Sequence, residues 1–199
     1  LSQGLPLEVA STTVDTQCGS SQQATNLAYA LVASGVVDSA IGCGVEAMSQ
    51  VPMGSTVPKD PIVGKPVNKR YWEHFEFTSQ FDGAERIAKK WGITRDDTDA
   101  FGKRSQDLAA AAWADNRFDS QIVSMDAPVG FKDGKPTSET HHVTRDGGLR
   151  ETTLEILGGL RTNMPDGVHS AGTSSQITDG AAAVLMMSRE RADALGLEV

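Results

Sequence analysis

The first fifty residues alternate between strand-like and helix-like patterns of apolar positions. Residues 12–16 are rich in threonine, which predicts a strand. Apolar side chains then recur at helical spacing, and Ser34-Gly35 ends the predicted helix. Residues 37–45 form an apolar run punctuated by glycine, which predicts a buried strand beside the first. The apolar stripe of the helix comprises Ala24, Leu27, Ala28, Leu31 and Val32. A strand, a helix and a strand joined by short turns favour a parallel βαβ unit, and therefore an α/β fold.

The middle of the chain changes character. Prolines and glycines interrupt every period between residues 50 and 69, which predicts an irregular excursion. An aromatic cluster follows, made of Tyr71, Trp72, Phe75, Phe77 and Phe81. We expect these rings to form the small core of an insertion, with the lining of an acyl tunnel as the alternative.

Two helices are predicted after the aromatic cluster. The first carries an apolar stripe from Ala84 to Trp91 and ends at Gly92. The second begins at Thr94, which Asp97 follows at capping-box spacing. Its expected buried face consists of Phe101, Ser105, Leu108 and Ala112. Its expected solvated face consists of Arg95, Asp96, Asp97, Lys103, Arg104 and Asp107.

The last third contains turn and strand signals. Residues 121–125 predict a strand, and residues 132–135 predict a tight Asp-Gly turn. His141 and His142 are expected at the surface. Residues 167–180 are small and polar, which suits close approach of the backbone to a ligand. Residues 181–187 predict a buried strand that returns to the sheet, and Ser188 is expected to cap a short final helix.

Composition narrows the classes of function. The chain has 199 residues, 39% hydrophobic and 22% charged, as in ordinary globular proteins. Its net charge of −8 argues against nucleic acid and anionic membrane as general partners. No apolar run is long enough to span a membrane. The four histidines and two cysteines show no zinc-type spacing, so we expect no metal.

The start of the chain and the cysteines bear on its origin and location. The sequence opens at Leu1 without a methionine, as a chain cut from a longer one would. It shows no charged-then-apolar leader, so nothing indicates export. Together with reduced thiols, this predicts a cytoplasmic protein.

Cys18 has the position of a nucleophile. It stands between the predicted strand and the predicted helix, where free N–H groups and the helix dipole favour a thiolate over a thiol. The same N–H groups could hold an oxyanion. The alternative is an inert cysteine, since most cysteines behave as small buried hydrophobes. Cys43 lies in an apolar strand run, so we expect it to be buried and structural.

Three segments together resemble the thiolase family. Residues 14–24 read Val-Asp-Thr-Gln-Cys-Gly-Ser-Ser-Gln-Gln-Ala and resemble the acylatable-cysteine segment of those enzymes. Residues 42–49 look like the strand and turn that follow it, and residues 171–183 resemble a second thiolase signature. Ser21 departs from the usual glycine of the first motif. Thiolases make or cleave β-ketoacyl-CoA thioesters, with coenzyme A as a substrate.

The resemblance implies roles for particular residues. Cys18 would form an acyl-thioester in thiolytic cleavage of a 3-ketoacyl-CoA or in the reverse condensation. Arg150 matches the arginine that contacts the CoA nucleotide, and arginine suits phosphate because its donors are forked. Ser175 matches the serine along the pantetheine arm. A surface arginine and a loop-capping serine are the alternatives, and His169 is expected to be structural.

The resemblance also implies an architecture. The chain would be an incomplete N-terminal half of a thiolase-like fold, with a nucleophile core over 1–49, a loop domain over 50–167 and a returning core over 168–199. The family's Gly-His-Pro and Cys-x-Gly segments do not occur in this sequence. A homodimer or homotetramer of the full-length protein is implied, and the lipid- or steroid-degrading branch is the best match.

Two other functions remain open. The chain could be a non-catalytic acyl-CoA-binding relative, or a fragment with no activity of its own. A cysteine hydrolase is the third possibility, and it requires a histidine near Cys18.

Overall fold

A computed structural model describes residues 4–58, 60, 62–64 and 67–198. In chain order its helices and strands are α1 Ser20–Ala33, β1 Ser39–Ala47, α2 Tyr71–His74, α3 Gln80–Trp91, α4 Arg95–Ala114, β2 Met125–Pro128, β3 Phe131–Lys132, β4 Lys135–Pro136, β5 Thr140–Val143, α5 Leu154–Gly158, β6 Asp179–Met187 and α6 Arg189–Ala194. The described residues fall into two compact units. Unit 1 holds the chain up to Ser55 and again from Thr178, and unit 2 holds Thr56–Ile177.

The unit boundaries differ from the predicted ranges at both junctions. Residues 50–55 belong to unit 1, because the turn after β1 continues through Val51, whose N–H donates to the Ala47 carbonyl. Residues 168–177 belong to unit 2, because their backbone packs on α4. There the Thr98 hydroxyl donates to the Val168 carbonyl at 2.7 Å.

The sheet of unit 1 is an antiparallel pair. β1 and β6 pair in continuous register from Ser39 opposite Met187 to Ala47 opposite Asp179. The predicted strands 37–45 and 181–187 are therefore present, but the predicted parallel βαβ unit is wrong. Residues 12–16 form no strand and lead into a 3₁₀ turn, Gln17–Gly19. A β-prone segment forms a strand only when it pairs with the edge of another strand. Here β1 pairs with β6 and not with residues 12–16.

Helix α1 lies on one face of this sheet through a glycine seam. Gly42 faces the backbone of Thr25, and a Cβ there would come within 2.8 Å of the Thr25 Cα. Gly44 faces the side chain of Ser21, whose Cβ would lie 3.2 Å from an added Cβ. Only Ala28 is fully buried on the helix, while Leu27 and Leu31 of the predicted stripe are 40% and 43% exposed. The close approach turns small side chains, rather than the leucines, toward the strand.

The opposite face of the sheet is exposed, which corrects the prediction of two buried strands. Val45 is 78% exposed and Leu185 is 59% exposed. Side chains alternate between the two faces of a strand, so Ile41, Cys43 and Val45 share the face away from Gly42 and Gly44. The apolar pattern identified the strands correctly, but it assumed cover on both faces.

The helix starts and stops of unit 2 follow the sequence signals. Thr94 and Asp97 form the predicted capping box of α4, with the Asp97 N–H donating to the Thr94 hydroxyl at 3.2 Å. Gly92 ends α3 at φ 66°, a conformation that glycine adopts without strain. In unit 1, the Ser188 hydroxyl caps α6 as expected.

The buried face of α4 is polar, which corrects the predicted face. Phe101 and Leu108 are 68% and 58% exposed, whereas Thr98, Asp99 and Gly102 are buried. Arg95, predicted to be solvated, is bound to Asp99 at 2.9 Å. Its guanidinium also donates to the carbonyl groups of residues 157 and 160 beside α5. Hydrogen bonds, rather than apolar contact, select this face.

The remaining elements mix confirmed and shifted predictions. The strand predicted at 121–125 is β2, which begins at Met125 and pairs with β5. Asp133 and Gly134 form the predicted hairpin turn, with φ 52° and 72°. His141 and His142 are exposed, as expected.

The aromatic cluster does not form a buried core. Tyr71 packs against Trp72 and Phe75 with ring centroids 5.0 and 4.9 Å apart. The five rings are nevertheless 44–73% exposed. Four of the rings contact one another around the short helix α2, and Phe81 lies at the start of α3. Since all five stay exposed, the prediction of a small core is wrong.

The glycine seam gives a stability prediction. Gly42→Ala should lower the thermal unfolding midpoint, because the added methyl meets helix backbone that cannot rotate away. Overpacking of this kind costs about 1–3 kcal/mol. Gly180→Ala is the matched control on β6, since nothing lies within 4 Å of its added Cβ. Differential scanning fluorimetry of the complete protein compares the unfolding midpoints of the two variants. Equal midpoints would show that Gly42 makes no close contact with α1.

Candidate functional site

Cys18 lies in a tightly held turn before α1. It is exposed in the 3₁₀ turn Gln17–Gly19, directly ahead of the helix. Gln17 has φ 52°, which a non-glycine residue rarely adopts. Its N–H donates to Asp15 Oδ1 at 2.9 Å, and its carbonyl accepts from the Ser20 hydroxyl at 2.6 Å. The thiol is therefore presented by a turn whose backbone is bonded on both sides.

The start of α1 supports the predicted environment of the thiol. Gly19 is the N-cap residue and no side chain caps the helix. The first N–H groups of an α-helix have no partner within the helix. Here the Ser20 N–H already donates to the Gln17 carbonyl of the preceding turn, so an anion would be held by the N–H groups that follow it. The strand predicted before Cys18 is absent, but the predicted helix start is confirmed.

Cys43 is exposed, contrary to the prediction. It points away from the face of β1 that contacts α1, because strand side chains alternate and Gly42 and Gly44 face the helix. Both cysteines are free thiols. Exposure therefore does not distinguish them, and any difference in reactivity must come from their local electrostatics.

Arg150 and Ser175 lie in unit 2, in segments that hydrogen bonds join. Arg150 is exposed, and its Nη2 donates to Gln176 Oε1 at 3.4 Å. Gln176 follows Ser175 directly, and its Nε2 donates to the Gly148 carbonyl at 2.8 Å. The Arg150 N–H donates to Gln106 Oε1 on α4 at 3.0 Å. Gln176 thus joins the loop of Arg150 to the segment of Ser175, and Gln106 joins the same loop to α4. Neither glutamine was predicted as a site residue from the sequence.

The segment that ends at Ser175 is anchored to α3. The Glu85 carboxylate accepts from the N–H groups of Val168 and His169 at 3.0 and 3.1 Å. Ser170 is 1% exposed and caps the turn Ala171–Thr173. The His169 ring lies 3.4 Å from the Thr173 hydroxyl, within the same unit. These contacts give His169 a place in the loop scaffold.

Asp179 joins the ends of the two strands of unit 1. Its carboxylate accepts from the Ser49 hydroxyl and from the Ser49 N–H, the latter at 2.9 Å. Hydrogen bonding from the Ser49 side chain, and then from backbone N–H groups, lowers the pKa of Asp179. The second signature thus contains a carboxylate that holds the turn after β1.

The described residues contain neither a cluster of metal-ligand type nor a helix suited to span a membrane. Across the described ranges, no group of three or more potential ligand side chains is arranged to hold a metal ion. Within the same residues, no helix is both long and apolar enough to cross a membrane.

Comparison with known proteins identifies the family. The model of the thiolase N-terminal domain matches residues 1–190. A 3-ketoacyl-CoA thiolase of Bacillus subtilis is 40% identical over 98% of this chain and 49% of its own length. Steroid 3-ketoacyl-CoA thiolase FadA6 of Mycobacterium tuberculosis is 36% identical over 96% of this chain and 46% of its own. A probable acetyl-CoA acyltransferase of Staphylococcus aureus is 35% identical over 98% and 50%.

These similarities define an α/β domain of thiolase type. The chain belongs to the thiolase family, and it spans about half the length of the curated relatives it matches. The predicted fold class is therefore confirmed. The match covers both units, including the segments of Cys18, Arg150 and Ser175.

Asp179 gives a pH prediction. Its pKa is lowered in the folded protein, so the stabilisation is complete above the unfolded value of about 3.9 and is lost as the pH falls through the folded pKa. Asp179→Asn should lower the thermal midpoint by a constant amount between pH 5 and 7, and the difference should shrink below about pH 4. Asp119→Asn is the exposed control. A difference that grows on acidification would contradict the assignment.

Proposed function

We propose that this chain supplies the nucleophile-bearing half of a 3-ketoacyl-CoA thiolase. The observation that carries the proposal is the turn of Cys18, in which a thiol is exposed at an uncapped helix start inside the family's cysteine motif. The thiolase names of relatives at 35–40% identity support it. Arg150 and Ser175 are proposed as contacts to coenzyme A.

The proposed reaction proceeds in two steps through an acyl-enzyme. The Cys18 thiolate attacks the keto carbon of a 3-ketoacyl-CoA, and the bond between C2 and C3 breaks. The leaving acetyl-CoA carbanion takes a proton from a general acid, and the shortened acyl group stays on sulfur as a thioester. The thiolate of a second CoA then attacks that thioester and releases Cys18. The reverse sequence is the Claisen condensation of acetyl-CoA.

The N–H groups at the start of α1 suit the anionic stages of this chemistry. A helix start carries partial positive charge, which stabilises the thiolate before attack and an oxyanion afterwards. The base for each step is proposed to come from segments outside these 199 residues, since the family's Gly-His-Pro and Cys-x-Gly motifs do not occur here. The proposed acyl chain is lipid- or steroid-derived. A homo-oligomer, a cytoplasmic location and a role in fatty acid β-oxidation are further parts of the proposal.

The first test compares the two thiols. Iodoacetamide reacts with thiolate, so Cys18 should be labelled well before Cys43 at neutral pH. Both side chains are exposed, so access does not bias the comparison. Peptide mass spectrometry of the complete protein reports the two rates in one sample. Faster labelling of Cys43 would remove the nucleophile assignment.

The second test is turnover of acetoacetyl-CoA with CoA. The complete protein should be active, Cys18→Ala should lose at least a thousandfold, and Cys43→Ala should keep its activity. The isolated polypeptide of residues 1–199 should not turn over, because a positioned base supplies about 10²–10⁴-fold and each step needs one. If the complete protein binds CoA but neither it nor Cys18→Ala turns over acetoacetyl-CoA, the non-catalytic binding alternative is correct. Steady turnover by the isolated polypeptide that Cys18→Ala abolishes would show that this chain carries its own base.

A further inference from the structure

The arginines of unit 2 differ in what holds them. Arg86, Arg95 and Arg117 each form an ion pair with a carboxylate, at 2.6, 2.9 and 2.8 Å. Arg145 instead lies over the ring of Trp113, with its guanidinium carbon 5.4 Å from the ring centroid. Arg150 binds the amide oxygen of Gln176.

Neutral partners leave the charge of these two arginines uncompensated. Among residues 4–58, 60, 62–64 and 67–198, no carboxylate forms an ion pair with Arg145 or Arg150. A guanidinium has five N–H donors, and the Gln176 oxygen engages only one group of Arg150. Among the described residues of the same unit, Arg70, Arg104 and Arg161 also form no ion pair, but Arg145 and Arg150 are the two that a neutral side chain contacts. Asp146 and Glu151 of this loop pair with neither arginine, so both guanidinium groups can bind a phosphate.

Gln176 holds this loop at two points. Its Nε2 donates to the Gly148 carbonyl at 2.8 Å, and its Oε1 accepts from Arg150 at 3.4 Å. The approach is close, since a Cβ at Gly148 would lie 3.0 Å from both Gln176 Nε2 and Asp146 Oδ1. Gln106 Oε1 accepts the Arg150 N–H from the side of α4. The backbone on either side of the Arg150 side chain is therefore fixed by amide groups.

Building on the proposed function, we propose that Gln176 is a positioning residue for the nucleotide end of coenzyme A. It orients Arg150 toward the phosphate groups through a neutral hydrogen bond that leaves the guanidinium charge intact. It also ties the Arg150 loop to the segment of Ser175, so that the phosphate contact and the pantetheine contact share one support. A glutamate in its place would pair with Arg150 and lower its charge.

The test separates nucleotide recognition from folding. In a ping-pong reaction, kcat/KM for the accepting thiol is measured with CoA and with pantetheine, which lacks the nucleotide. Gln176→Ala should lower kcat/KM for CoA about three- to tenfold through KM, as expected for one lost hydrogen bond to a charged group, and leave pantetheine unchanged. Gln176→Glu should lower the value for CoA further. Gln121→Ala, at an exposed glutamine of unit 2, is the control and should change neither substrate.

Isothermal titration calorimetry measures the dissociation constant of CoA for the same variants without turnover. Gln176→Ala should raise the dissociation constant by the same factor as Arg150→Ala or less, and Gln121→Ala should not. Equal losses for CoA and pantetheine would show that Gln176 only maintains the fold, which overturns the proposal. A loss with Arg150→Ala but none with Gln176→Ala would also overturn it. Absence of thiolysis in the wild type would count against the proposed function, while the calorimetric comparison would still decide the role of Gln176.

Discussion

The position of the candidate nucleophile depends on the backbone-level contact between α1 and β1. Gly42 and Gly44 leave room for Thr25 and Ser21, so the helix lies closer to the strand than ordinary side chains allow. Cys18 precedes Ser21 by less than one helical turn. The thiol is thereby tied to the sheet through rigid backbone contacts, whereas a layer of flexible leucines would hold it less tightly. Sites supported on regular elements in this way keep their geometry better than sites on free loops.

The same contact makes the sheet one-sided. All the support from α1 reaches one face of the β1–β6 pair, and the other face presents Ile41, Val45 and Leu185 to solvent. A two-stranded ribbon is marginally stable by itself, and contiguous apolar surface of this kind is typical of faces that become covered.

Local sequence signals correctly predicted the features that depend only on residues close together in the chain. The capping box at Thr94, the stop at Gly92, the Asp-Gly hairpin and the two strands of unit 1 were confirmed because each is encoded within a few residues. Partner choice was not predictable in this way. Periodicity shows that residues 37–45 form a strand, but it contains no information on whether residues 12–16 or 179–187 will pair with it. The predictions of burial were wrong for the same reason, since they assumed that both faces of each apolar strand are covered.

The sequence predicted only those residues of the candidate site whose side-chain chemistry itself suggests a role. Cys18, Arg150 and Ser175 could be singled out because a thiol, a guanidinium and a hydroxyl in recognisable motifs suit acyl and phosphate chemistry. The groups that hold those segments are less visible: Asp15, Ser20, Gln106 and Gln176 act through side-chain hydrogen bonds to backbone groups. Such bonds follow no helical or strand period and join residues as far apart as 106 and 150.

Polar contacts of this kind also explain why unit 2 has so small an apolar core. Asp99 and Thr98 are buried on α4 where the pattern predicted Phe101 and Leu108, and their partners are Arg95 and loop carbonyls. A loop fixed by hydrogen bonds needs no apolar anchor of its own, so its exposed side chains stay free to meet a ligand. The constraint is geometric: a Cβ at Gly102 would lie 2.6 Å from the Gly172 carbonyl oxygen, so these two backbone segments meet only where residue 102 has no side chain. The loops of unit 2 are thus specified by amides, carboxylates and glycines, and Arg150 and Ser175 depend on that scaffold for their positions.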